Sequence, residues 1–243
     1  MSCYKFLHSV HIDKIVIDGT VTISSLSYYR QLEEPQWIAD RLEGSIEVNL
    51  TEGLVVSGNE VSSFTPEGFP LPVRADTGGK IILGNKVILN YKHPDVFVYC
   101  ASQGDLAPLT EAMCGDTKNP YDACVRIVDM ELLAHRMFYR GRILEMGGTK
   151  VGDVFSYFRC APVEYCNLSL DQKTMTTRPP PPSPFVKHHD PFPRQREVRI
   201  AFFEPRQVLP SQTLTIKIPR PKEIFIEEIR GISGSTSTGL GTP

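Results

Sequence analysis

The 243-residue sequence predicts an α+β protein with mixed, mainly antiparallel sheets and a few short helices. Two observations predict it. Short runs of β-branched and aromatic residues in period-two alternation recur along most of the chain, with turn residues between them. Helical periodicity appears only in brief stretches, mostly in the first and middle thirds.

In chain order, CYKFLHSV reads as a first strand with Tyr4, Phe6 and His8 in one parity. HIDKIVIDG then carries Ile12, Ile15 and Val16 at helical spacing and stops at Gly19. TVTISSLSYYR alternates Val21 and Ile23 against Thr22 and Ser24, a second strand that, if continued, sets Tyr28 and Arg30 on the face opposite Tyr29. After Pro35 a short helix with Trp37, Ile38 and Leu42 is expected to end at Gly44. From Ser45 to Asn90, glycine-marked turns separate short β segments of an antiparallel sheet, the clearest being a hairpin at Gly84-Asn85 between Ile82 and Val87.

PDVFVYCAS is apolar enough for the centre of a sheet. DACVRIVDMELLAHRMFYRG reads as a strand to Val128, an N-cap at Asp129, and a helix with Leu132, Leu133 and Met137 on one face, closed by Gly141. GDVFSYFRCAPVEYC supplies two β segments around Pro162. TTRPPPPSP cannot join a sheet and is expected to be an extended surface connection. REVRIAFF, TLTIKI and EIFIEEIR are the late strands. One domain is expected over residues 1–230, with a proline-rich loop at 178–184 and a flexible, low-complexity tail at 231–243.

Hydrophobic residues at 41% and charged residues at 22% suit a globular chain, and a net charge of -2 gives no whole-protein field toward nucleic acid. The apolar runs are too short and too interrupted for a bilayer span, and MSCYKFLHSVHIDK has no signal-peptide pattern, so a cytoplasmic protein with no membrane association is expected. Six cysteines without CxxC spacing read as reduced thiols. The motifs of P-loop nucleotidases, dinucleotide-binding folds, α/β-hydrolases and HExxH metalloproteases do not occur. His188 and His189 are adjacent, so on an extended backbone they diverge and make a poor metal pair; no metal is expected. His8 and His11 fall near the end of the first strand, where either a ligand contact or a plain element-end position fits.

QREVRIAFFEP is the most informative strand. Val198, Ile200 and Phe202 share a core face, which leaves Glu197, Arg199 and Ala201 on the other. If that face is solvent, Glu197 is an ordinary surface carboxylate; if it lines a cleft, a carboxylate and a guanidinium stand side by side in it.

YKFLHSVHIDKIVIDGTVTISSLSYYRQLEEP, VFVYCAS and FVKHHDPFPRQREVRI together resemble, over roughly residues 4–204, a bacterial family of uncharacterised proteins common near phage-defence loci. The order of a tyrosine-bearing strand, a short helix ending in glycine, a small-polar and aromatic strand and a distant glutamate strand is similar to the ADP-ribosyltransferase fold, including the DarT-type toxins that modify nucleic acids. The resemblance implies NAD as co-substrate, Glu197 as the catalytic carboxylate, and Tyr28 and Tyr29 where aromatic residues stack on nicotinamide, Tyr28 in the catalytic set. Arg30 and Arg199 would bind the cofactor, as would one of Lys5 and His8 on the first strand. Where a clean His-Tyr-Glu set has its histidine, this chain has Lys5, with His8 three residues further on.

The implied activity moves ADP-ribose to a macromolecule. A nucleic acid is favoured as acceptor, RNA ahead of DNA, with RQREVR and IPRPK as basic clusters for phosphates and a protein acceptor as the other class. A cognate antitoxin is the implied partner. The competing readings are an inactive nucleotide- or partner-binding defence protein of the same fold and, last, a structural subunit recognised through RPPPPSP.

Overall fold

The computed structural model describes residues 2–32, 42–50, 55–57, 80–82, 87–114, 121–171, 181–189 and 192–230. The chain runs β1 (Cys3–Leu7), α1 (Ile12–Val16), β2 (Thr20–Ser25), α2 (Leu26–Gln31), β3 (Ser45–Leu50), β4 (Val55–Ser57), β5 (Lys80–Ile82), β6 (Val87–Lys92), β7 (Phe97–Gln103) and α3 (Leu106–Cys114). It continues through β8 (Ala123–Ile127), α4 (Met130–Arg140), β9 (Arg142–Ile143), β10 (Thr149–Lys150), α5 (Val151–Val154), β11 (Phe155–Pro162), β12 (Glu164–Cys166), β13 (Ser169–Asp171), β14 (Val186–His188), β15 (Glu197–Pro205), β16 (Thr213–Lys217) and β17 (Phe225–Arg230). This is a mixed α and β architecture with mostly antiparallel sheets and few helices, as the alternation predicts.

The residues form two compact units, one of residues 1–25, 96–162 and 193–243, the other of 26–95 and 163–192. The first unit holds a ten-stranded sheet in the order β10-β9-β16-β2-β7-β1-β8-β17, with β15 on β7 and β11 on β15. All its pairings are antiparallel. One face carries the main core: Cys3 and Leu7 of β1, Val21 and Ile23 of β2, Tyr99 and Ala101 of β7, and Val198, Ile200 and Phe202 of β15. Leu133, Ala134 and Met137 of α4 pack against it, each fully buried. On the opposite face Tyr4, Phe6 and Cys124 pack with Leu109 and Cys114 of α3.

Each element has a local cause. β15 alternates, so its apolar set enters the core as a block. α4 starts where Asp129 accepts a hydrogen bond from Leu132 N at 3.0 Å, satisfying a donor with no partner in the first turn. It ends at Gly141, whose N–H bonds Met137 O. Leu132, expected on the buried face, is exposed: Leu133 and Met137 are four apart and share a side, and their immediate neighbour turns away by a helical step.

In the second unit β13, β3 and β6 form one sheet, with β13 parallel to β3 and β6 antiparallel to it. Ile46, Val48, Leu50, Leu89, Tyr91 and Leu168 are its core. β12 and β14 pair in parallel, and β4 and β5 pair antiparallel. The expected hairpin between Ile82 and Val87 is therefore not formed among the described residues: β5 takes β4 and β6 takes β3. Gly44, with φ of 61°, turns the chain into β3 where a Cβ would collide with Leu26.

The second strand stops at Ser25, and Tyr28, Tyr29 and Arg30 lie on α2 instead of the expected strand continuation. Residues 33–41, with the helix expected around Trp37 and Ile38, lie outside the described residues, as do 172–180 of the proline-rich segment and the tail at 231–243. Leu42 is buried in a turn. At the described end of the proline-rich run Pro181 is exposed and Ser183 half-buried, while Pro182 and Pro184 are buried.

Candidate active site

β7 has three neighbours. β15 follows one edge from Glu197 opposite Ser102 to Phe202 opposite Phe97. The other edge is shared: β1 pairs at Ser102 and Gln103, and β2 pairs at Phe97 and Val98. Between these contacts β1 and β2 diverge, and the sheet forks. Lys5 Nζ donates to Cys100 O across the fork at 2.9 Å and stands 5.0 Å from the Tyr99 ring centroid. A strand carbonyl left without a ladder partner is thus satisfied by a charge-assisted hydrogen bond.

Glu197 opens β15. Arg196 precedes it with φ of 44°, a left-handed residue that swings the chain from the turn at 192–195 into the strand, and its carbonyl accepts from Gln103 N at 2.9 Å. Glu197 and Arg199 point away from the main core, as alternation predicts, yet both are buried, with 6% and 1% of their surface exposed. Arg199 Nε donates to Glu197 Oε1 at 2.5 Å. Cys100 lies directly opposite Arg199, and its thiol hydrogen-bonds the Glu197 side chain. Burial, followed by the adjoining carboxylate, pushes that thiol up to about 12 against the pull of Arg199 and Lys5, so it stays protonated and donates. Ser102 opposite Glu197, Tyr4 opposite Ser102 and Arg126 opposite Tyr4 extend one row across four strands.

The other first-strand candidate sits apart from this row. His8 follows β1 at the cap of the Ser9–His11 turn, edge-on to Tyr121 at 5.5 Å. Next to it Ser9 donates through N and Oγ to Asp122 at 2.6 and 2.7 Å. Lys5 shares its pleat side with Cys3 and Leu7, opposite to Glu197, and reaches the site through the fork.

Tyr28, Tyr29 and Arg30 belong to the second unit, whereas Lys5, His8, Glu197 and Arg199 belong to the first. The two tyrosines meet edge to face at 5.7 Å. Arg30 donates to Glu43 O at 2.7 Å and to Ser27 Oγ at 2.9 Å, and lies 3.9 Å from Asp95. Those contacts tie α2 to the turn ahead of β3. Beside them Glu43 and Lys187, both buried, approach to 4.0 Å. Cys100, Ser102, Glu43 and Lys187 escape sequence reasoning because their significance lies in cross-strand register and in contacts between distant segments.

Among the described residues, two pockets of the first unit do not have Glu197 in their walls. One of 300 Å³ lies on the core side, by Cys3, Asp129, Glu131, Cys160 and Val198. The other, of 560 Å³, follows the exposed side of α4 along Leu132, His135, Arg136, Tyr139 and Arg140. Among the described residues no cluster of His, Cys, Asp or Glu is arranged to hold a metal ion, and no helix is long and apolar enough to cross a membrane. Comparison of the chain with protein-family models, curated proteins and solved structures returned no match.

Proposed function

We propose that the protein is an ADP-ribosyltransferase that takes ADP-ribose from NAD and passes it to a macromolecular acceptor, a nucleic acid and RNA before DNA, as a toxin-like component of phage defence restrained by a cognate antitoxin. The observation that supports this reading is Glu197, a carboxylate at the start of a central strand beside a fork in the sheet, oriented by Arg199 and Cys100. In the reaction the C1′–N bond to nicotinamide breaks, nicotinamide leaves with the electron pair, and the acceptor nucleophile attacks C1′ and gives up a proton. Positive charge builds on the ribose in the transition state. A carboxylate fixed in place before the reaction stabilises that charge without reorganising, the same electrostatic need that glycosidases meet. Arg199 fixes the carboxylate's orientation, and Lys5 holds β1 and β7 at the separation the fork requires.

The burial of Glu197 favours a second reading, in which the Glu197–Arg199 pair is structural and the protein binds a nucleotide or a partner without turnover. Nicotinamide release from NAD by purified protein separates the two. For a transferase, Glu197→Gln lowers release by at least about 100-fold, the loss typical of a removed transition-state contact. The same substitution leaves Arg199 buried without its carboxylate and costs about 3 kcal/mol of stability. Circular dichroism at the assay temperature therefore accompanies the assay, and Glu197→Asp, which keeps the charge but withdraws it, loses activity with a smaller loss of stability. Undiminished release by folded Glu197→Gln, or no release by the parent protein, would reject the transferase.

A further inference from the structure

Three cations stand side by side at one margin of the large sheet. Lys150 on β10 is directly opposite Arg142 on β9, and Arg142 is directly opposite Lys217 on β16. Their strand neighbours Ile143 and Ile216 are fully buried in the core, so the three cations project from the other face, and all are exposed. With strands about 4.8 Å apart, three positive charges fall within roughly 10 Å. Like charges directly opposite each other destabilise a sheet. Protection of an open edge by a lysine explains Lys150 on the outermost strand, but not Arg142 and Lys217 on the strands inside it. Arg142 makes one hydrogen bond, to Gly148 O at 3.0 Å, and no ion pair joins any of the three among the described residues. The nearby carboxylate of Glu145 is taken up by Thr215 N at 2.9 and 3.0 Å.

The pleat carries this side of the sheet inward as hydroxyls and onward to the site. Thr20 is opposite Lys217, Thr22 opposite Thr215, and Ser24 opposite both Thr213 and Val98. Val98 shares its side of β7 with Cys100 and Ser102, which oppose Arg199 and Glu197, and Ser24, Val98, Ser102, Arg199 and Glu197 are all buried, so the exposed part of this face ends at the threonines. Beyond them on the same side, Tyr157 of β11, 47% exposed, lies flat on Phe203 with centroids 4.6 Å apart and planes 5° apart. Tyr157 follows Lys150 by seven residues, four of them in α5, so the two Cα atoms are less than about 20 Å apart.

We propose that this face binds single-stranded nucleic acid, with Lys150, Arg142 and Lys217 on successive phosphates, the Thr22 and Thr215 hydroxyls on phosphate and sugar, and a base stacked on Tyr157. Cations interleaved with hydroxyls and an exposed flat aromatic ring are the complement of an unpaired strand, which offers charge and a π-face together. The inference rests on the transferase reading for its biological sense, since it gives the acceptor proposed there a binding surface, but it is tested without turnover.

The test is fluorescence anisotropy of the full chain with a labelled single-stranded RNA oligonucleotide, without NAD, across a salt series. Replacing Lys150, Arg142 and Lys217 together by Gln weakens binding by roughly 50-fold at 0.15 M salt and flattens the log–log salt slope by about 2, each cation contributing about 0.7. Tyr157→Ala weakens binding roughly tenfold and leaves the salt slope unchanged. Nicotinamide release to water is measured on the same variants; it stays at the parent level because none of the four residues is in the Glu197 site. Unaltered RNA affinity in the triple variant, or a parent protein that binds phosphatidylserine vesicles through these residues and not RNA, overturns the inference. Failure of the transferase reading appears instead as absent nicotinamide release and leaves the binding result standing.

Discussion

At the scale of single residues, the side chains that hold this protein together also make it sensitive to acid. Asp122 accepts two hydrogen bonds from Ser9, and these, first the side-chain and then the backbone one, hold its carboxyl below the ordinary carboxylate range. A carboxylate with a depressed folded-state value contributes stability above the unfolded-state value, about 3.9, and loses that contribution as pH falls through the lower folded-state value. Thermal melts of Asp122→Asn from neutral pH down to about pH 2 are therefore expected to show a lower melting temperature at neutral pH and a smaller gap to the parent at the acid end. A constant gap across the range would assign Asp122 no role in the acid limb. Glu197 became a candidate from sequence because strand alternation assigns its side of β15 without knowledge of any partner. What lies across from it could not be read in that way, because Cys100 and Ser102 meet it through register with a strand almost 100 residues earlier.

Among the elements, those with strong local signals are where the sequence suggests. α4 combines a buried stripe, a capping aspartate and a terminal glycine. Asp129→Ala is expected to cost about 1 kcal/mol by chemical denaturation, with α4 retained, because one unsatisfied donor at its first turn is all that changes. α2 had no comparable signal. LSYYRQ is six residues with one buried side chain, Leu26, too short for a helical period to emerge, and its two tyrosines suit a strand equally well. The consequence for the site is direct: on a helix Tyr28 and Arg30 no longer share a face, and Arg30 takes up the turn at Glu43. β5 and β6 fail for another reason. Both are β-prone, but a hairpin turn between two strands does not determine which partner each will prefer, and the pairings with β4 and β3 are non-local choices.

For the molecule as a whole, composition marks no boundary at two of the four places where the chain changes unit, between Ser25 and Leu26 and between Asp95 and Val96, whereas the other two fall beside Pro162 and Pro193. The six cysteines are a property of the entire fold. Burial raises Cys100 and Cys160 to about 12 and Cys114 to about 11, Cys3 and Cys166 are raised as well, and Cys124 is fully inaccessible. Since the thiolate is the reactive form, Cys100, Cys114 and Cys160 in the native chain at pH 7.5 should react with a thiol-specific chromogenic disulfide on the order of 100-fold more slowly than a free thiol. All six should titrate once denaturant is added. Rapid reaction of Cys100, Cys114 or Cys160 in the native protein would contradict the burial described.

The three-sided pairing of β7 also dictates the order in which the chain can become safe from aggregation. Its neighbours come from residues 3–7, 20–25 and 197–205, so one whole edge of an apolar central strand waits for a segment almost 100 residues further along. Closing so long a loop is entropically costly and slow. During synthesis, every nascent chain that has passed residue 103 but not residue 205 carries that edge bare, with the alternating surface that recruits foreign strands. The segment that carries Glu197 is thus also the last strand to cover β7, and a chain truncated ahead of it would be sticky.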